Sequence, residues 1–255
     1  MTKLPEAAHP AHAAHAPHAA HTALAAHTAH GRQDAIVTCA TLAALLLWDL
    51  SGLDMPAARL FGDLHGFAWT HTFFLSRVMH DGGRLLAWAV LAALVMAALR
   101  PAVAGQGPSR AARWRWMGVI LLCVLAVPAI KRLSATSCPW DLAEFGGVAQ
   151  HLSHWRWGVP DGGGGHCFPS GHAVAAFGFF GLHFLWRDIN ARRARLWLLA
   201  VLLTGTLFGA AQLARGAHFP SHTLWSAWLC WAICASADAL MRLPHNARAS
   251  SRTTP

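Results

Sequence analysis

Cys167-Phe168-Pro169-Ser170-Gly171-His172-Ala173 opens an apolar stretch that runs on to Trp186. It sets a hydroxyl, a bare backbone and an imidazole at the point where a helix begins. Glycine lets an oxyanion approach the main chain, the first N–H groups of a helix lack intrahelical partners, and the aligned peptide dipoles favour negative charge there. The stretch therefore reads as the lip of an apolar helix able to hold a phosphate-like anion, with His172 in reach of it.

Working outward, this stretch is one of six apolar spans, at residues 35–50, 85–99, 116–130, 170–186, 196–214 and 223–241. Of 255 residues, 55% are hydrophobic and 12% charged, and mean hydropathy is +0.36. That composition excludes an ordinary soluble domain and predicts an all-α polytopic membrane protein, a six-transmembrane-helix bundle. At ~1.5 Å rise per residue the shortest spans cover roughly 22 Å, less than a ~30 Å hydrocarbon core, so the helices must extend into flanking residues or rely on snorkelling Arg, Lys and Trp.

Arginine placement orients the spans. Arg100, Arg110, Arg113 and Arg115 crowd the second loop, and Arg187, Arg192, Arg193 and Arg195 follow the fourth span. Both loops are expected on the cytoplasmic side, with both termini, which leaves the first, third and fifth loops facing outward. The net charge of +9 is then carried at span ends, which argues against a nucleic-acid partner. The expected organisation is a disordered His/Ala-rich tail at 1–32, a membrane domain at 33–243 and a second cytoplasmic tail at 244–255. In the first tail His9, His12, His15, His18 and His21 recur every third residue. That tract fits either a metal-binding segment or a low-complexity tail.

Cys39, Cys123, Cys230 and Cys234 fall inside spans and read as packing residues. Cys138 and Cys167 fall in the outward third loop, where a disulfide can form if that side is oxidising. On the same topology Lys131 ends the third span, His172 opens the fourth, and Arg215 and His218 follow the fifth, so all four meet one membrane face. Two cationic side chains, the Ser170 hydroxyl, the Gly171 N–H and two imidazoles are what phosphoryl transfer needs.

These residues resemble the type 2 phosphatidic acid phosphatase superfamily, relatives of the vanadium haloperoxidases. Pro169-Ser170-Gly171-His172 matches the middle motif. His218-Phe219-Pro220-Ser221-His222 resembles the third, with His222 where the family has aspartate. Lys131 is followed after six residues by Cys138-Pro139 where the first motif has Arg-Pro, and Gln212 stands where the third motif has arginine. The resemblance implies a metal-independent phosphatase without a cofactor, acting on a lipid phosphate or lipid pyrophosphate at the periplasmic face of the inner membrane. It implies His218 as nucleophile and His172 as acid and base, with Lys131, Ser170, Gly171 and Arg215 on the phosphate. Arg132 or Arg215 is expected to replace the missing arginine. Either Asp141, Glu144 or Asp161 supplies the missing carboxylate, or His222 orients His218 itself. The alternatives are a lipid phosphotransferase using the same site and a non-enzymatic metal-handling membrane protein. His80, Asp81 and Arg84, with Asp49 and Asp54, read as helix caps or as the edge of a substrate entrance. The lipid and the oligomeric state stay open.

Overall fold

The computed structural model describes residues 15–101 and 107–242, with side chains from residue 29 onward. Its helices are α1 (His15–Ser51), α2 (Asp54–Arg59), α3 (Gly83–Leu99), α4 (Arg110–Leu133), α5 (Val174–Phe177), α6 (Gly181–Arg187), α7 (Ala191–Ala214) and α8 (Pro220–Arg242). A π-helical stretch, Phe74–Gly82, runs directly into α3, and a two-residue hairpin, Gly62–Asp63 with Gly66–Phe67, follows α2. The helix α1 begins inside the tail expected to be disordered to residue 32. His9 and His12, the side chains of the rest of the tract before residue 29, and the tail from residue 243 lie outside the described residues.

Five helices are long and apolar enough to cross a membrane: Ala29–Ser51, Phe74–Leu99, Arg110–Leu133, Ala191–Ala214 and Pro220–Arg242. All outrun the apolar runs that mark them in the sequence. The 24 residues of α4 span about 36 Å at ~1.5 Å per residue, which removes the length deficit.

The expected sixth full-length span is not there. Residues 170–186 form α5, a 3₁₀ turn at Gly178–Phe180 and α6, so the apolar helical segment Val174–Arg187 is short and broken. The reason is packing. This segment is the centre of the bundle, where Phe177, Phe180, Leu182 and Phe184 meet Ile120 and Cys123 of α4, Val201 of α7 and Cys230 of α8. A Cβ at Gly205 would fall 2.2 Å from the Phe177 ring, so α7 and α5 approach as only glycine allows. An apolar run buried on all sides and one facing lipid look alike in sequence. The outer surface is leucine instead: Leu47, Leu85, Leu125, Leu133 and Leu203 are exposed, and Leu50 is 85% exposed. A skin of that kind is stable only against lipid.

The two ends of the bundle differ. Where α6 turns into α7, Arg187 bonds Asp34 at 2.7 Å and also Asp238, while Arg242 bonds Asp238 and, at 2.6 Å, Asp188. These pairs tie α1, α6 and α8 together. The opposite end carries the segment 134–169, laid over the helix ends and fastened by a Cys138–Cys167 disulfide with Cα atoms 5.2 Å apart.

Candidate active site

Lys131 lies in the last turn of α4, His172 two residues before α5, Arg215 directly after α7, and His218 two residues before α8. Each therefore sits where a helix begins or ends, at the end of the bundle away from the arginine pairs. His172 Nδ1 is 3.4 Å from His218 Nε2, with ring centroids 5.6 Å apart. The Lys131 stem passes Gly171 so closely that a Cβ there would lie 3.6 Å from Lys131 Cδ. Arg215 is held by neutral acceptors, its Nε–H donating to the Thr70 carbonyl at 3.1 Å and its guanidinium to Gln212 Oε1 at 3.2 Å. The glutamine at the family's arginine position thus steadies the arginine three residues on.

Ser170 is fully buried. Its Oγ accepts from the Ala173 N–H at 3.4 Å, its N–H donates to the His222 carbonyl, and its own carbonyl accepts from Ser226 Oγ at 2.9 Å. It stitches the start of α5 to α8 as it caps the turn. Arg132 is exposed, and the neighbours whose charges act on His172 are His80, Lys131, Arg215 and Arg84 instead.

Burial and these charges together set the protonation of the site. Burial first, and then those four neighbours, push His172 down to about 3. For His218, burial, Lys131, His222 and His172 hold the imidazole well below its usual value, against an opposing contribution from the Cys167 backbone. Burial likewise lowers Arg215, opposed by Asp81. In the protein alone both imidazoles are neutral, and a phosphoryl dianion between these cations would reverse much of the shift on His172. A histidine that is a nucleophile with a free lone pair, beside one that gains a proton with its substrate, is a workable pair for group transfer.

His80 and Arg84 are the residues that sequence reasoning undervalued. The His80 ring lies over His172 with centroids 4.3 Å apart, and its Nδ1 is 2.8 Å from Asp81 Oδ1. The signal was the polar run His80-Asp81-Gly82-Gly83-Arg84 ahead of an apolar span, but nothing local says that it faces residue 172.

Asp49 and Asp54 do not cap their own helices. Asp49 Oδ2 accepts from Trp155 and Trp225 and pairs with His154 at 3.2 Å, while Asp54 accepts from the Ser221 N–H, Ser221 Oγ and Trp48. Of the carboxylates proposed to back His218, Glu144 is exposed and the other two are engaged elsewhere. Asp141 accepts from the Cys138 N–H, and Asp161 accepts from Ser137 N–H and Oγ, each at 2.6 Å, and from the Gly163 N–H. Burial opposes the Asp161 charge, and those hydrogen bonds outweigh it, leaving the carboxyl below its usual range. His222 lies edge-on behind His218, with centroids 5.8 Å apart.

Ligand atoms of Cys167, His218 and His222 lie within 4.8 Å of one another, a spacing that a metal could bridge. The disulfide removes the Cys167 thiolate, however, and two imidazoles alone make a poor metal site.

A family model described as PAP2 superfamily matches residues 112–247, more than half of the chain. The chain belongs to the PAP2 superfamily. No curated protein and no solved structure matches it. PAP2 members are phosphatases, which makes this chain a hydrolase at the coarse level, and its long apolar helices make it a multi-pass membrane protein. The PAP2 match takes in Lys131, His172, Arg215 and His218. Asp49, Asp54, His80 and Arg84 reach the same end of the bundle from the segment before it.

Proposed function

We propose that this PAP2 protein hydrolyses a lipid phosphate or lipid diphosphate through a phosphohistidine on His218. The observation that carries the reading is the 3.4 Å approach of His172 Nδ1 to His218 Nε2 beside Lys131 and Arg215, cations without a carboxylate partner among the described residues. His218 Nε2 attacks phosphorus in line and the bond to the lipid oxygen breaks as His172 gives that oxygen a proton. Water then attacks the phosphohistidine, His172 takes the water proton, and inorganic phosphate leaves. Lys131, Arg215 and the Gly171 N–H hold the equatorial oxygens, where charge is greatest.

The substrate is amphiphilic because the site sits at the mouth of a leucine-faced bundle, level with a lipid headgroup. The site faces the periplasm because the arginine-rich loops lie at the other end, and a disulfide over the site suits an oxidising side. The test is phosphate release from a panel of lipid phosphates and diphosphates by purified protein in detergent. Wild type should release phosphate from at least one lipid and His218→Ala from none. Near-normal release by that variant would remove His218 as nucleophile, and transfer of the phosphate to a second lipid would identify a phosphotransferase.

A further inference from the structure

Behind His218, the His222 ring is 1% exposed and its Nδ1 has no protein partner. A buried ring nitrogen left unpaired is costly, so a partner for it is part of the design. His222 lines a cavity of about 20 Å³ together with Asp54, Asp161, Ser137 and His154. That volume holds one water and no organic group. Of the cavity's His and Asp side chains, His222 alone belongs to a group that converges to metal-binding spacing among the described residues, and it does so with Cys167 and His218 rather than with the cavity's carboxylates.

Both carboxylates keep spare acceptor capacity. Each already receives three hydrogen bonds, Asp54 from Ser221 N–H, Ser221 Oγ and Trp48, and Asp161 from Ser137 N–H, Ser137 Oγ and Gly163, against about four lone-pair sites on an ionised carboxylate. Asp54 is the better placed of the two, because its hold on Ser221 fixes it to the first turn of α8, one residue before His222.

We infer that the cavity is a water site, and that its water links the His222 Nδ1–H to the Asp54 carboxylate. A carboxylate then supports His218 through a water and an imidazole, where the family motif sets an aspartate directly. With its proton committed to Nδ1, His222 keeps a lone pair on its other nitrogen, and one ring nitrogen of His218 and one of His222 lie within 4.8 Å of each other. That lone pair favours the positive charge that His218 acquires on phosphorylation. Asp54 and His222 are positioning residues, and the inference rests on His218 being the nucleophile.

Two readouts on the full chain in detergent test it. In protein labelled with ¹⁵N-histidine, His222 should show a protonated Nδ1 and a bare Nε2, and Asp54→Asn should erase that preference. In kinetics, Asp54→Asn should lower kcat about 10- to 100-fold with KM unchanged. In a His222→Asp background, where the carboxylate is direct, the same substitution should leave kcat nearly unchanged. Equal losses in both backgrounds, no loss in either, or an Nε2–H tautomer at His222 would overturn the water link. The Nδ1–H signature with its Asp54 dependence, in a protein that turns over no lipid phosphate, would uphold the water site and sink the hydrolase reading alone.

Discussion

At one end of the bundle Arg187 and Arg242 each meet two carboxylates, while at the other Lys131 and Arg215 meet none among the described residues. All four are cationic side chains, and their work is opposite. Compensated cations near the ends of α6 and α8 hold helices together, because burying them is tolerable only when they are paired. Burial first, and then cations that no carboxylate bonds among the described residues, depress the imidazoles of His172 and His218 and leave a positive mouth suited to a phosphate. A charged group's partners, more than its type or its place at a span end, decide whether it is structural or functional.

That contrast can be broken at either end. Arg187→Met strips Asp34 of its cation and should destabilise the protein by about 3–5 kcal/mol, seen as earlier thermal unfolding in detergent, with activity per folded molecule unchanged. Lys131→Met should do the reverse, cutting phosphate release about 100- to 1000-fold with little change in melting. If Lys131→Met melts early, or Arg187→Met loses turnover while folded, the division between the ends fails.

Cys138→Ser opens the link between residues 29 apart in sequence that holds segment 134–169 over the site, and should cost about 3–4 kcal/mol of unfolding free energy in denaturant. Acid should act through the site end as well. His172 and His218 are depressed in the folded protein and unfold to ordinary histidines near 6.5, so the unfolded chain takes up protons first as pH falls. Stability should then be full above about pH 7 and decline from about 6.5 downward by at most ~1.4 kcal/mol per pH unit for each such histidine. Replacing His172 with Gln should flatten that slope, and an unchanged slope would show that the depression is not there. The smallest expected effect is Arg215→Lys, which keeps the charge, loses the planar hold on Thr70 and Gln212, and should raise KM more than it lowers kcat.

Much of this was legible in the sequence, for identifiable reasons. Apolar runs mark helices because each backbone group in lipid must be satisfied internally, so all six runs became helical. The helices extend into flanking residues, as the short runs require, with Arg110 and Lys131 carrying α4 beyond its apolar core. The broken segment at 174–187 was misread as a full span because burial against helices and burial against lipid demand the same residues. The gathering of Lys131, His172, Arg215 and His218 at one end of the bundle was legible from spacing and topology. His80 was not assigned, because its approach to His172 depends on how α3 leans on the bundle. Asp49 and Asp54 were misjudged because their partners, Trp225 and Ser221, lie more than 150 residues away.

In the proposed hydrolysis His218 carries the phosphoryl group between two steps. Rapid acid-free quenching of the purified protein with a ³²P-labelled lipid phosphate, followed by peptide mapping, tests it most directly. An alkali-stable, acid-labile phosphate is expected on the peptide bearing His218, accumulating in His172→Ala if loss of the base slows release more than formation. Turnover without any protein-bound phosphate, or label on a different residue, would contradict it.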